Sequence, residues 1–247
     1  MTHRIGTGEH HVIALHGWLG PAESWSPVWP HLDTATFSYA FPDYRGYGTR
    51  RDEAGAYTVD EIAADVLALA DELGWDTFSL VGHSMGGKAV QRVYALAPER
   101  VRALVGVCPV PASGVPFDEP TEALFTGAAA DPANRRAIID FTTGGRLTGT
   151  WLDAMVARSV ATSTPEAFAG YLRSWAYEDF HADIAGADVP VKVIVGEHDP
   201  ALSADVMRAT FQQWYPKAEL TVLANAGHYP MDETPLALTT ETERFLA

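Results

Sequence analysis

Cysteine is almost missing from this sequence: Cys108 is the one cysteine among 247 residues. A single cysteine cannot form a disulfide within the chain, which agrees with folding in a reducing compartment. Positive charge is also scarce, since 17 lysines and arginines stand against 32 aspartates and glutamates, for a net charge of -15. So acidic a chain argues against binding to nucleic acid or to an anionic membrane, because both attract basic surfaces.

The sequence also lacks several patterns that would indicate other classes of protein. No apolar run is long enough to cross a bilayer, and the first residues contain no apolar core of a signal peptide, so we expect a cytoplasmic protein. The nine histidines fall into no metal-ligand spacing such as His-Glu-x-x-His. Gly-Thr-Gly at residues 6–8 is too short for a dinucleotide-binding loop. We therefore expect neither a metal nor an organic cofactor.

What the sequence does contain is an alternation of short apolar runs with helical patterns. The chain is 47% hydrophobic, which suits one large domain with a sizeable core. Strands alternating with helices predict a mostly parallel twisted sheet with helices on both faces, which is the α/β class. The predicted strands are 12–15, 37–41, 78–81, 101–107, 191–195 and 220–223, and the predicted helices are 24–32, 58–73, 85–97, 203–215 and 234–245.

This alternation is interrupted between residues 109 and 188. Prolines at positions 109, 111, 116 and 120 indicate irregular chain, and three helical patterns follow. One begins with Asp131 before a proline and another with Thr164 before a proline, as helix starts often do. We interpret the segment as a helical cap. The predicted organisation is a core of residues 1–110 and 189–247 with a cap at 111–188.

A Gly-x-Ser-x-Gly motif at residues 82–86 joins a predicted strand to a predicted helix. That context is typical of a nucleophile elbow, although the motif alone also fits a glycine-rich turn with a capping serine. A serine hydroxyl needs an adjacent base and a third group that orients the base. Asp199 and His228 each follow a predicted strand, and the carboxyl ends of parallel strands share one edge of a sheet. Ser84, Asp199 and His228 can therefore converge; Asp205 is the nearby alternative acid.

Four motifs together resemble those of the small, cofactor-free α/β-hydrolases. They are His-Gly-Trp at 16–18, Asp-Tyr-Arg-Gly-Tyr-Gly at 43–48, Gly-His-Ser-Met-Gly-Gly at 82–87, and Gly-Glu-His-Asp at 196–199 with Gly-His at 227–228. Their order of Ser, Asp and His along the chain is the order of that family. Because few residues precede the first motif, we expect the antiparallel strands that begin the family's sheet to be short or missing.

The resemblance implies a role for each residue of the motifs. Ser84 is implied as the nucleophile, His228 as the base and Asp199 as the orienting acid. It also implies an oxyanion hole formed by the backbone amides of Trp18 and Met85. The expected function is a serine hydrolase that cleaves carboxylic esters through an acyl-enzyme. Three alternatives remain open: a lactonase, a carbon–carbon bond hydrolase on the same triad, or a hydrolase-like ligand-binding receptor with little turnover.

Aromatic residues of the cap and of the loops near Ser84 predict the substrate. A cap inserted at the carboxyl edge of the sheet must cover the site, and an apolar underside favours small-molecule apolar esters. The side chains expected to contact the substrate are Trp18, Leu19, Trp151, Trp175 and Tyr229. His16 and His83 are interpreted as structural supports, and Lys88, in the helix after Ser84, is expected to be solvated.

Overall fold

The computed structural model describes residues 2–247, whose strands form one seven-stranded sheet. The order of the strands across the sheet is β1-β3-β2-β4-β5-β6-β7. All neighbouring pairs are parallel except β1 with β3. The bounds are β1 His3–Ile5, β2 His10–Leu15, β3 Phe37–Phe41, β4 Phe78–His83, β5 Val101–Val107, β6 Val191–Gly196 and β7 Ala218–Leu223.

Two predictions about the sheet are confirmed. The sheet is mostly parallel, so the carboxyl ends of β2, β4, β5, β6 and β7 lie along one edge. The initial antiparallel part is short, because β1 has three residues and pairs with β3 alone. All six residues of β4 are buried, as in a central strand covered on both faces.

The core helices are α1 Val59–Leu73, α2 Met85–Leu96, α8 Ala204–Ala209, α9 Phe211–Trp214, α10 Pro230–Glu233 and α11 Pro235–Leu246. Helix α1 begins where Thr58 Oγ1 accepts a hydrogen bond from the Glu61 amide, and it ends at Gly74 in the left-handed region. The predicted helix at 24–32 is wrong: the segment forms two short 3₁₀ turns, at Ala22–Trp25 and Trp29–His31. Prolines at 27 and 30 lack the amide protons that an α-helix needs there.

A helical segment separates β5 from β6. Its helices are α3 Glu119–Gly127, α4 Pro132–Thr142, α5 Gly149–Thr162, α6 Pro165–Tyr177 and α7 His181–Ile184. Helices α3 to α6 each begin after an aspartate or threonine whose side chain accepts a hydrogen bond from a backbone amide: Asp118, Asp131, Thr148 and Thr164. Throughout the described chain, every helix is too short or too polar to cross a membrane.

Candidate active site

Ser84 lies on a strained turn between β4 and α2. Its backbone angles are φ 54 and ψ -116, a conformation that non-glycine residues rarely adopt. The turn is tight: a Cβ on Gly82 would lie 2.3 Å from the Gly86 carbonyl oxygen, and one on Gly86 would lie 2.6 Å from the Leu15 oxygen. The glycines of the motif are therefore required by close backbone packing. The Ser84 carbonyl is tied down by the amides of Gly87 and Val110, at 2.8 and 2.9 Å.

His228 and Asp199 form a buried hydrogen-bonded pair beside this turn. Nδ1 of His228 lies 2.6 Å from Oδ2 of Asp199. The other carboxylate oxygen of Asp199 accepts from the amides of Ala201 and Leu202, at 2.9 and 3.0 Å. Because a carboxylate oxygen accepts, Nδ1 of His228 donates this hydrogen bond, and in the neutral ring that tautomer leaves Nε2 with a free lone pair. That tautomer suits a general base. Within residues 2–247, no hydrogen bond links Ser84 Oγ to His228, and such bonds commonly tighten when substrate binds.

The thiol of Cys108 lies behind the acid–base pair. Sγ of Cys108 and ligand atoms of Asp199 and His228 lie within 4.8 Å of one another, a group of potential metal ligands that sequence spacing does not reveal. Asp199 and His228 are, however, hydrogen-bonded to each other. Burial raises the pKa of the Cys108 thiol well above its ordinary value, so the neutral thiol packs against the pair.

We use the name β2 loop for residues 16–20, which follow β2 and face Ser84. Its carbonyl groups are held by two tyrosines: the Tyr44 hydroxyl donates to the His16 oxygen at 2.9 Å, and the Tyr47 hydroxyl donates to the Trp18 oxygen at 2.8 Å. The Trp18 indole donates to the Phe168 oxygen at 2.8 Å. The backbone amides of Trp18 and Met85 have no hydrogen-bond acceptor in the described part of the chain. Free amides next to a nucleophile are the donors that an oxyanion hole needs.

The histidines at positions 16 and 83 are neutral supports of the loops. Nδ1 of His16 donates to the Gly17 oxygen at 2.8 Å, and its Nε2 accepts from the Tyr44 amide. Nε2 of His83 donates to the His228 carbonyl oxygen at 2.8 Å. Burial lowers the pKa of both rings, most strongly that of His83. The neutral rings thus fix backbone groups, in line with the role that the sequence suggests.

An apolar cavity borders Ser84 and His228. Its lining includes these predicted contact residues: Trp18, Leu19, Trp175 and Tyr229. Trp151 does not reach the lining. Its ring instead packs edge-on against the ring of Tyr229, with 5.6 Å between the ring centroids. Trp151 therefore supports Tyr229 from behind and does not contact the cavity.

Several lining residues were not singled out from the sequence. They are Val110, Val115, Phe117, Phe125, Ile138, Thr142, Ala201 and Leu202. Most belong to the segment between β5 and β6, where apolar residues recur in helical patterns that do not reveal which ones face the core. On one side of the cavity, three aromatic rings pack in a row. The ring centroids of Trp18 and Phe125 are 5.8 Å apart, and those of Phe125 and Phe117 are 4.8 Å apart. An aromatic wall of this kind favours apolar ligands.

Lys88 is the clearest departure from expectation, because it is fully buried and not solvated. Its ammonium donates to the carbonyl oxygen of Trp175 at 3.0 Å and to that of Glu178. These carbonyls lie at the C-terminal end of α6, where backbone acceptors lack partners in the helix and the helix dipole is negative. Burial lowers the pKa of Lys88 to about 8. The side chain thus ties α2 of the core to α6.

The alternative acid, Asp205, lies away from the base. It is exposed in the first turn of α8 and pairs with Arg208 at 2.6 Å. His198 is half-buried, with its ring 3.6 Å from the Glu197 carboxylate. The geometry thus puts Asp199, and not its neighbours, against His228.

Known proteins agree with the class that this fold and site define. A family model described as alpha/beta hydrolase fold matches residues 10–235, so the chain belongs to the α/β-hydrolase family. The sequence is 28% identical to a pimeloyl-[acyl-carrier protein] methyl ester esterase from Klebsiella pneumoniae, covering 94% of this chain and 92% of that protein. It is 27% identical to a non-heme chloroperoxidase from Kitasatospora aureofaciens, covering 88% and 84%.

Solved structures share the same fold. An esterase from Exiguobacterium antarcticum superposes with a TM-score of 0.88 over 99% of this chain and 94% of its own, at 19% identity. A bromoperoxidase from Bacillus anthracis gives a TM-score of 0.86 at 20% identity, over 99% of this chain and 94% of its own. At such identities the likeness concerns architecture alone.

Proposed function

We propose that this protein is a serine esterase that hydrolyses small, apolar carboxylic esters. The observation that carries the proposal is the arrangement around one apolar cavity: a strained serine, a histidine oriented by a buried carboxylate, and two free backbone amides. These are the parts required for acyl transfer. Relatives named as methyl ester esterases support the same reaction class.

The reaction proceeds in two halves. Oγ of Ser84 attacks the ester carbonyl carbon while Nε2 of His228 accepts the hydroxyl proton. The oxygen that becomes negative is stabilised by the amides of Trp18 and Met85. When the carbon–oxygen bond breaks, His228 returns the proton to the leaving alcohol, and the acyl group stays on Ser84. His228 then takes a proton from water, whose oxygen attacks the acyl carbon. As the bond from the acyl carbon to Oγ breaks, His228 returns that proton to Oγ, which releases the acid and restores the serine.

A free ester is favoured over one attached to a carrier protein. The chain has a net charge of -15, so a carrier that is itself acidic would be repelled. Three of the five cap arginines pair with carboxylates of the protein, namely Arg136 with Asp153, Arg146 with Glu233 and Arg158 with Asp232, whereas Arg173 is exposed. Arg135 is buried against the ring of Phe168. We therefore assign the apolar cavity to the acyl or aryl part of a small-molecule ester.

The first test is Ser84→Ala assayed on p-nitrophenyl acetate. We expect a folded variant whose kcat is lower by ~10⁴-fold or more, because removing a triad serine removes the whole covalent pathway. The wild type should give a burst of p-nitrophenol followed by steady turnover. A variant that keeps more than about a tenth of the activity would rule out Ser84 as the nucleophile. A burst without further turnover would instead indicate a ligand-binding receptor.

A second measurement on the wild type identifies the class of substrate that the enzyme prefers. Rates are compared for esters of increasing acyl length, for methyl against larger alcohols, and for lactones. A kcat/KM for a lactone above that for the matched open ester would move the assignment to the lactonase alternative.

A further inference from the structure

The loop that carries His228 is held in place by the carboxylate of Glu233, a residue that takes no part in the reaction described above. We use the name β7 loop for residues 224–229, which follow β7. Oε2 of Glu233 accepts from the Gly227 amide at 2.8 Å, and Oε1 accepts from the Tyr229 amide at 3.1 Å. These are the residues directly before and after His228. The two oxygens therefore fix the backbone on both sides of the imidazole.

Glu233 is suited to this task by its burial and by its charge. Its side chain is 3% exposed, and it lies on the short helix α10 that begins directly after the loop. A buried carboxylate must be matched by donors, and here the donors are backbone amides and an arginine. A glutamine could accept at one oxygen only, and its NH₂ group would then face another N–H donor. The position therefore requires a carboxylate.

The cap contributes the remaining contacts. Nη1 of Arg146 donates to Oε2 of Glu233 at 2.9 Å, and Nη2 donates to the Asn225 carbonyl oxygen at 3.0 Å. The His228 amide itself donates to the Thr142 oxygen, at the end of α4, at 3.1 Å. The amides of residues 227, 228 and 229 are thus all occupied, and residues 142–146 of the cap supply part of the support.

We propose that Glu233 is a positioning residue for His228, and that Arg146 couples its position to that of the cap. The inference rests on the proposed function, since it assumes that His228 is the base. Glu233 touches no reacting atom. It acts by holding the ring so that Nε2 points at Ser84 while Nδ1 stays on Asp199. A small displacement of a catalytic group is enough to lower a rate by ~10²-fold.

The test compares Glu233→Gln with Asp232→Asn, a change of the adjacent carboxyl group in the same helix. Asp232 makes no hydrogen bond to the β7 loop through its side chain among residues 2–247. We expect Glu233→Gln to lower kcat by about 10²-fold with a much smaller change in KM, because the side chains that line the cavity are all kept. Asp232→Asn should stay within a few-fold of the wild type. Glu233→Asp keeps the charge but is shorter, so it should lie between.

A spectroscopic measurement separates positioning from a loss of stability. The proton between Nδ1 of His228 and Asp199 gives a downfield ¹H resonance, which reports the orientation of the ring without any assay. We expect this resonance to shift or broaden in Glu233→Gln and to be unchanged in Asp232→Asn. If Glu233→Gln does not fold, Glu233→Asp decides, because the shorter side chain cannot reach both amides and should still shift the resonance and lower kcat; unchanged values would overturn the positioning role.

The outcomes are distinct from those for the esterase proposal. An inactive Ser84→Ala together with a Glu233→Gln variant of wild-type kcat and unchanged resonance would overturn the role of Glu233 alone. An Arg146→Met variant of unchanged kcat and resonance would overturn the coupling to the cap. An active Ser84→Ala would overturn the esterase assignment, while the resonance would still decide whether Glu233 holds the ring.

Discussion

The β2 loop and the β7 loop flank the same serine but differ in the groups that hold them and in whether their amides are occupied. In the β2 loop, neutral tyrosine hydroxyls hold the carbonyl oxygens of His16 and Trp18. In the β7 loop, the buried carboxylate of Glu233 holds amide groups, and a charged arginine braces it. In the β2 loop the Trp18 amide stays free within the described chain. In the β7 loop the amides of residues 227–229 are all occupied, and the carbonyl oxygens of Asn225 and His228 accept hydrogen bonds as well.

The difference follows from what each loop has to offer. Under the proposed mechanism the β2 loop donates a backbone amide to the substrate, so its amide must stay free and only its carbonyls can serve as anchors. The β7 loop offers a side chain, so all its nearby amides can be occupied. Each loop also packs against a tryptophan of the helical segment between β5 and β6: Trp175 packs edge-on against Trp18, and Trp151 packs edge-on against Tyr229.

The largest expected effect concerns Asp199, which under the proposed mechanism orients the catalytic base His228. Asp199→Asn should lower kcat by ~10⁴-fold, because an amide in place of the carboxylate favours the wrong histidine tautomer. Asp205→Asn, on exposed α8, should have almost no effect. Steady-state kinetics of the two variants measures the difference. If Asp205→Asn proved to be the damaging change, the acid would have been assigned to the wrong residue.

The second expected effect concerns substrate size preference, and it compares Trp175, which contacts the β2 loop, with Trp151, which contacts the β7 loop. Trp175 lines the cavity and Trp151 does not, so Trp175→Ala should alter substrate size preference far more than Trp151→Ala. Each methylene that gains or loses a place in an apolar pocket is worth ~1–3 kcal/mol. The measurement is the ratio of kcat/KM for a bulky ester to that for an acetate ester. An equal or larger change in Trp151→Ala would mean that the substrate enters along the β7 loop.

The smallest expected effect concerns the pH dependence of stability. It arises from Lys88, which binds the C-terminal end of α6. The pKa of Lys88 is lowered to about 8 in the folded protein, from an ordinary value of 10.5. Between these pH values the unfolded chain keeps a proton that the folded chain has released. The free energy of unfolding therefore rises with pH in this window, by up to about 3 kcal/mol.

Lys88→Met removes this titration. Urea unfolding of the wild type and the variant at pH 7.5, 9 and 10 should show the wild type gaining stability relative to the variant as the pH rises. A wild type that instead loses relative stability over this range would mean that the charged ammonium is favoured by the fold.

The sequence predicted well wherever the relevant physics is local. The strands, the elbow and the loops after β2, β6 and β7 are marked by apolar runs that end in glycines, and these signals depend on neighbours in the chain. The two turns at 22–31 could also have been predicted, since prolines 27 and 30 are visible in the sequence.

Contacts between distant segments were beyond the same reasoning. Lys88 looks like a solvated lysine in an amphipathic helix, because the carbonyls that receive its charge lie 87 and 90 residues further along the chain. Trp151 lies at the start of α5 and Trp175 near the end of α6, and only the packing of these helices decides which of the two rings reaches the cavity. Glu233 lies five residues after His228, and nothing in that spacing shows that the carboxylate turns back to the loop.

The buried thiol of Cys108 has a practical consequence for following motion. Because this one cysteine is sealed beneath the acid–base pair with its pKa raised, the surface of the native protein is inert to thiol-directed reagents. A cysteine introduced on the outer face of α3 could be labelled alone with a fluorophore. Such a label would report, during turnover, whether the helical segment between β5 and β6 moves relative to the sheet and its helices, to which Lys88 and Arg146 link it.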